Sequence, residues 1–340
     1  MNKLLAFSAI AISFLTASCQ TNTTTTSKNE IVETEKSKTS LPSTIKIEGV
    51  AQNPEGIEYD KSDQTFLLSS LNAGSIIKVN SDGTYKSFTS GESYPMSTGG
   101  LQLDHKNNRL LVAACNLMEL YDKDPTTKGS ANLRIYNLKT GVMEKDINLS
   151  SLIPDATAYM ANDVAVDNEG NVYVSDWYAG VIYKVNMNDE VSLFWKNETG
   201  LQGEANGLDF HTDGYLLVSL ISVNEQGLYA DYGLVKIPTD NPESAKTVTI
   251  SNAGYNGFDG MVINSNGNVV GVTNDGKTPG GNALIELSSK NNWESAEVIN
   301  SKTITPSTTV AITPENKNYV INQDFMSNES KTWTIEQIEF

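Results

Sequence analysis

The sequence predicts an all-β fold, a six-bladed β-propeller closed by pairing an N-terminal strand with the C-terminal blade. Three observations carry that expectation. Six segments repeat one template with a turn residue at a constant offset. Helical periodicity is missing over any long window. The last copy runs out one strand short, while a strand-like piece stands unassigned before the first copy.

The template is a small or polar pair, an alternating strand, a turn and a second strand. Its copies begin EGIEYD (55–60), GGLQLD (99–104), NDVAVD (162–167), NGLDFH (206–211), DGMVIN (259–264) and TTVAIT (308–313). Eight positions after the first residue of each copy stand Asp63, Asn107, Gly170, Gly214, Gly267 and Asn316. Unrelated turns would scatter in this offset. Second strands follow as TFLLSS, RLLVAA, NVYVSD, YLLVSL, NVVGVT and NYVINQ. Third strands include SIIKVN, NLRIYN, VIYKVN, GLVKIP and ALIELS, and a fourth such as EVSLFWK completes the unit. Four antiparallel strands repeated at this spacing are the mark of propeller blades. The final copy ends in TWTIEQIEF at Phe340; pairing it with STIKIEGVA (43–51) would close the ring and leave no open edge at that seam.

The chain has 340 residues and a formal net charge of -17, from 41 Asp+Glu against 24 Lys+Arg. Phosphates would be repelled, so nucleic acid is not an expected partner. Residues 1–18 read as a signal peptide: Lys3 gives the positive start, Leu4 to Leu15 the apolar run, and Thr16-Ala17-Ser18 the small residues. The run is too short to span a membrane. Cys19 directly after it resembles a bacterial lipobox, which implies cleavage there and lipidation of Cys19. Thr16 stands where that motif usually has Leu. Residues 19–43, rich in Thr, Ser, Lys and Glu, read as a flexible tether, and residues 44–340 as the propeller. The expected location is the bacterial cell envelope, with the membrane met only through the lipid; a secreted or periplasmic soluble protein is the alternative. Cys115, in LLVAAC, is expected to be a buried small hydrophobe.

In a propeller the first strand of each blade lines the channel, and the residues opening those strands converge near one mouth. The six opening positions are Glu55, Gly99, Asn162, Asn206, Asp259 and Thr308. Asn206-Gly207 is also the commonest two-residue hairpin pair, so Asn206 is expected to turn the chain besides serving the axis. Two carboxylates forced together in a narrow channel repel, and desolvation adds to the cost. Either one of Glu55 and Asp259 holds a proton, or a cation sits between them; with neutral oxygens from Asn162 and Asn206, that set would balance a divalent ion. All-oxygen ligands favour Ca²⁺ or Mg²⁺ over Zn²⁺, and a loose ring of side chains from four blades suits Ca²⁺.

EGIEYD, NDVAVD, NGLDFH and DGMVIN resemble the corresponding segments of the gluconolactonase/regucalcin family of six-bladed propellers. That resemblance, over about residues 45–340, implies a divalent metal held by Glu55, Asn206 and Asp259, with Asn162 a ligand or a substrate contact. Paraoxonases and diisopropylfluorophosphatase look like more distant relatives. An Arg common two residues before the third-blade Asn is Met160 here, and the paraoxonase His pair has no counterpart. His105 and His211 both fall at expected hairpin turns on the far side, which disfavours a Ser-His-Asp reading.

Long connections are expected on the metal-bearing face: 116–131, 221–232 and 274–282, joined by 90–98 and 150–161. Tyr94, Tyr159, Met160, Trp177, Tyr178 and Phe258 would form an apolar, aromatic wall suited to a small neutral ester or lactone. The expected activity is calcium-dependent hydrolysis of lactones or related esters by a monomer. The ion would polarise the carbonyl and Asp259 would act as general base. The alternative is a non-catalytic ligand-binding propeller in which calcium only staples the channel.

Overall fold

The computed structural model describes residues 40–49, 53–89, 96–116, 129–200, 203–223, 229–251, 255, 257–274, 282–322 and 332–340. They form six small sheets in chain order, the six blades. The innermost strands are Ile57–Asp60, Ser97–Asp104, Ala161–Val166, Glu204–His211, Met261–Ile263 and Val310–Ile312. Among the described residues the helical elements are two short 3-10 turns, Ser150–Leu152 and Pro242–Ser244.

Why these segments are strands is clearest in RLLVAAC (Arg109–Cys115), apolar at every position after the first. A strand inside a propeller is covered on both faces, so the usual polar alternation is not required. Leu111, Ala113 and Cys115 pack toward blade three, while Leu110 and Val112 pack toward blade one. Six such apolar clusters occur, one between each pair of neighbouring blades. The core is therefore a ring of interfaces, and the channel at its centre is left for polar side chains.

The ring closes as the sequence predicts. Thr44–Glu48 pairs antiparallel with Thr332–Ile338 in the register Thr44↔Glu336 to Glu48↔Thr332, which makes it the outermost strand of blade six. Ile45 and Ile47 point inward from it and are buried. Left-handed residues mark the inner turns at Gly170, Gly214, Gly267 and Asn316, the predicted positions. In blades one and two the turns span 61–64 and 105–108, and the left-handed residue comes one later, at Gln64 and Asn108. Blade five carries a strand the sequence reading did not include: Thr249–Ser251 lies parallel to Ser295–Thr303.

Candidate functional site

Three of the six opening positions sit in β-bulges. Thr98 and Leu101 pair with Ala114 and Val112, so Gly99-Gly100 together face Ala113. Ala161 and Val164 pair with Asp176 and Val174, so Asn162-Asp163 face Ser175. Ala205 and Leu208 pair with Leu220 and Val218, so Asn206-Gly207 face Ser219. A bulge breaks the inside–outside alternation and re-aims a side chain, here on the strands that line the channel.

This corrects the hairpin expectation for Asn206. Residues 206 and 207 lie inside the strand Glu204–His211, and Gly207 is not left-handed. Glycine stands there because a Cβ would collide with the Asp259 carbonyl of the next blade. Gly56 is held the same way, with a Cβ landing 2.5 Å from the Gly99 carbonyl oxygen. The second residue of the repeated pair thus lets neighbouring blades touch at the axis.

Buried hydroxyls fix the opening residues. Ser175 Oγ accepts the Asp163 N–H at 3.1 Å and donates to the Asn206 carbonyl at 2.7 Å, so it ties blade three to blade four. Ser69 Oγ accepts the Gly56 N–H at 2.6 Å, and Ser219 Oγ accepts the Phe258 N–H at 2.8 Å. Thr308 Oγ1 donates to the Glu55 carbonyl at 2.7 Å, which explains a threonine at the sixth opening position. Ser175→Ala is expected to cost about 1–3 kcal/mol, because it strands a buried carbonyl and a half-buried N–H; urea unfolding measures it.

The opening residues carry unmet polar demand. The Glu55 carboxyl is raised well above its usual range, first by burial and then by the negative charges of Asp259 and Asp163. Asn206 is 1% exposed, and its Oδ1 has no hydrogen-bond partner. Leaving such an oxygen bare costs about 1–3 kcal/mol, so it is an acceptor left available to a ligand. Asn162 is buried as well. Glu55 and Asn162 line a channel cavity of about 270 Å³ whose lining includes no Lys, Arg or His. Among the described residues no three His, Cys, Asp or Glu side chains are gathered as a metal cluster. The set here is two carboxylates and two carboxamides, hard oxygen donors with two negative charges, and that donor chemistry fits a hard dication.

The same cavity holds a second set of acids that the sequence reading missed. Glu58, Asp163 and Asp209 also line the cavity. Asp163 accepts the Leu208 N–H at 3.1 Å and the Val164 N–H at 2.9 Å. Asp209 accepts the Ile263 and Phe210 N–H groups, each at 2.7 Å. Each carboxylate so clamps its own blade to the next. Their residual accessible surface opens on the channel, and burial still dominates their titration. It pushes Asp163 to about 7 against its backbone hydrogen bonds, with Asp209 and Asp259 adding to the rise. Burial also pushes Asp209 up to about 6. Glu58 is raised well above its range by burial, then by Asp209 and Asp163.

A carboxyl raised on folding binds more protons in the folded chain, so its stabilising contribution is present in acid and is lost as pH rises through the folded value. Without added metal, stability is therefore expected to fall between about pH 4 and pH 7. Thermal melts across that window in chelator check the sign.

The remaining predicted residues are distributed as follows. Met160 is partly buried against the core between blades two and three, and its N–H is held by Asp176 at 2.8 Å. Tyr159 is buried, with its hydroxyl donating to the Ile153 carbonyl at 2.5 Å. Trp177 and Tyr178 stack at 5.8 Å, and Tyr178 is exposed. Phe258 has no exposed surface and lies over Gly271, so it packs the blade rather than presenting a face. Cys115 is buried and its thiol is pushed up, first by burial. His105 opens a turn and His211 ends a strand, each at the far end from the opening residues. His211 stacks on Tyr215 at 4.5 Å. Cys19 and Tyr94 lie outside the described residues.

No family model matches the chain, and no curated protein matches it. Solved structures do. The major allergen Mala s 1 of Malassezia sympodialis is 20% identical, with a TM-score of 0.68, covering 88% of this chain and 97% of its own. A gluconolactonase from Xanthomonas campestris is 12% identical at a TM-score of 0.56, covering 87% and 89%. The calcium-binding protein regucalcin from Agrobacterium tumefaciens is 16% identical at 0.53, covering 85% and 92%. What the chain shares with these proteins is the fold, a six-bladed propeller of the kind found in gluconolactonase and regucalcin structures.

Proposed function

We propose that this chain is an exported, lipid-anchored, monomeric hydrolase of lactones or related esters that works with a divalent cation, calcium, at the channel mouth. The observation that carries the proposal is the partnerless, buried Oδ1 of Asn206 in a ring whose two acids, Glu55 and Asp259, are close enough to raise Glu55. Glu55, Asn206 and Asp259 would hold the cation, with Asn162 completing the shell or touching substrate. When bound, the cation supplies Lewis-acid polarisation of the substrate carbonyl.

The chain's own part is positioning and proton movement. Bulges place Asn162 and Asn206, and buried serines hold the backbone next to Glu55 and Asp259, so little reorganisation is left for the reaction. The Asp259 carboxylate takes the proton of the attacking water. Asn162 orients the substrate by hydrogen bonding from its carboxamide. The six-bladed relatives named gluconolactonase and regucalcin support a lactone-directed, calcium-binding reading of the same architecture.

A panel of lactones, aryl esters and organophosphates, assayed with calcium and with chelator, tests the proposal. Turnover that needs calcium is the expected result. A calcium-raised melting temperature with no turnover anywhere on the panel would leave the non-catalytic binding propeller instead. Mass spectrometry of the mature protein tests the anchor, and an unmodified Cys19 would remove it.

A further inference from the structure

Aromatic side chains form an arc over blades three to five, the blades that carry Asn162, Asn206 and Asp259. Trp177 stands one residue beyond Asp176, the partner of Ala161, and so borders the Asn162 bulge. Its ring lies nearly parallel to that of Tyr178, with planes 17° apart. Its indole N–H donates to the Ile221 carbonyl at 3.1 Å, which joins the arc to blade four. Ile221 pairs with Tyr232 across the strands of that blade. Tyr232 meets Tyr255 edge-on at 5.7 Å, and Tyr255 meets Phe258, the residue before Asp259, at 5.0 Å.

The arc is held rigidly. The polar handles of Trp177 and Tyr255 are engaged by backbone carbonyls, the latter by Gly233 at 3.1 Å. Two of its rings nevertheless remain open, Tyr178 at 52% and Tyr232 at 42% exposed. Exposed aromatic surface on a chain of ring contacts that ends at Phe258, the neighbour of Asp259, is a recognition surface, because rings gain most from a flat apolar partner that sheds water with them. Acids at the mouth and a formal net charge of -17 disfavour an anionic partner.

We infer that Tyr178 and Tyr232, backed by Trp177 and Tyr255, form an aryl subsite. It takes the planar aromatic ring of a neutral ester or lactone and leaves the carbonyl to face the ring of oxygens. The carbonyl's fate rests on the hydrolase reading above; binding of the ring does not.

The test uses the full chain with calcium. The first probe is 3,4-dihydroquinolin-2-one, an aromatic lactam that resists hydrolysis, followed by quenching of tryptophan fluorescence. The second is the ratio of kcat/KM for dihydrocoumarin to that for δ-valerolactone, an aromatic against an aliphatic lactone. Tyr178→Ala and Tyr232→Ala are each expected to weaken lactam binding about tenfold and to lower the ratio by a similar factor. Tyr178→Phe and Tyr232→Phe should keep both, because the ring and not the hydroxyl makes the contact. Both tyrosines are surface residues, so unchanged melting of the Ala variants confirms that folding is intact. Lactam binding that follows this pattern with neither lactone hydrolysed would uphold the subsite and count against lactone hydrolysis alone. Ala variants that bind the lactam as well as the parent chain, or a parent chain that does not bind it, would overturn the subsite, whatever the lactones do.

Discussion

Asp259→Asn is expected to lower kcat/KM at least about 100-fold, the scale of a lost general base. Asparagine keeps the shape and one carbonyl oxygen, but removes the basic oxygen and one of the two charges that offset a dication. Calcium affinity should therefore fall together with turnover. The same substitution makes an opposite prediction for the metal-free protein. Glu55 is raised partly by the charge of Asp259, so neutralising residue 259 relieves repulsion at the mouth. In chelator, Asp259→Asn should melt at or above the parent chain; in calcium it should melt below. A chain that merely lost a structural contact would melt lower in both conditions. Asp259→Asn with unimpaired hydrolysis would exclude it as the base.

Removing residues 1–48 is expected to abolish folding, whereas removing 1–39 should leave stability unchanged. The difference is the strand Thr44–Glu48. It buries Ile45 and Ile47, covers Ile335 and Trp333, and supplies the outer ladder of blade six. Each buried isoleucine contributes roughly 1.5–3 kcal/mol. Losing both, with the ladder and the cover over blade six, approaches the 5–15 kcal/mol that typically separates folded from unfolded domains. It would also bare the edge of Thr332–Ile338 to other chains. Ile47→Asp is the milder form, expected to cost about 4 kcal/mol or more, since it creates a cavity and buries an unpaired charge. Circular dichroism and urea titration read both, and a 49–340 chain with full cooperative stability would refute closure as the source of integrity.

The architecture was legible because every blade must place its inner turn and second strand at the same distance from the axis. That constraint appears in the sequence as a fixed offset, from Asp63 to Asn316. The closing strand was legible for a related reason: one strand was missing at one end and one was spare at the other. The opening residues followed from the same register. The acids Glu58, Asp163 and Asp209 were not seen, because only the first residue of each copy was read as facing the channel. Glu58 and Asp209 hold the fourth position of their copies, while Asp163 holds the second. A signal existed in polar residues, Gln102 among them, set into otherwise apolar inner strands. Asn206-Gly207 misled for an opposite reason. A dipeptide with strong hairpin preference was placed mid-strand by contact with blade five, where Asp259 allows no Cβ at residue 207. The parallel strand Thr249–Ser251 has no turn signal of its own, since it docks on a strand more than forty residues away.

The most direct test of the shared-cation site is calorimetric titration of calcium into the metal-free protein, beside the Glu55→Gln, Asp259→Asn double variant. One saturable calcium per chain, absent from the double variant while its fold is kept, is the expected outcome. No binding to the parent chain, or equal binding to both proteins, would contradict it.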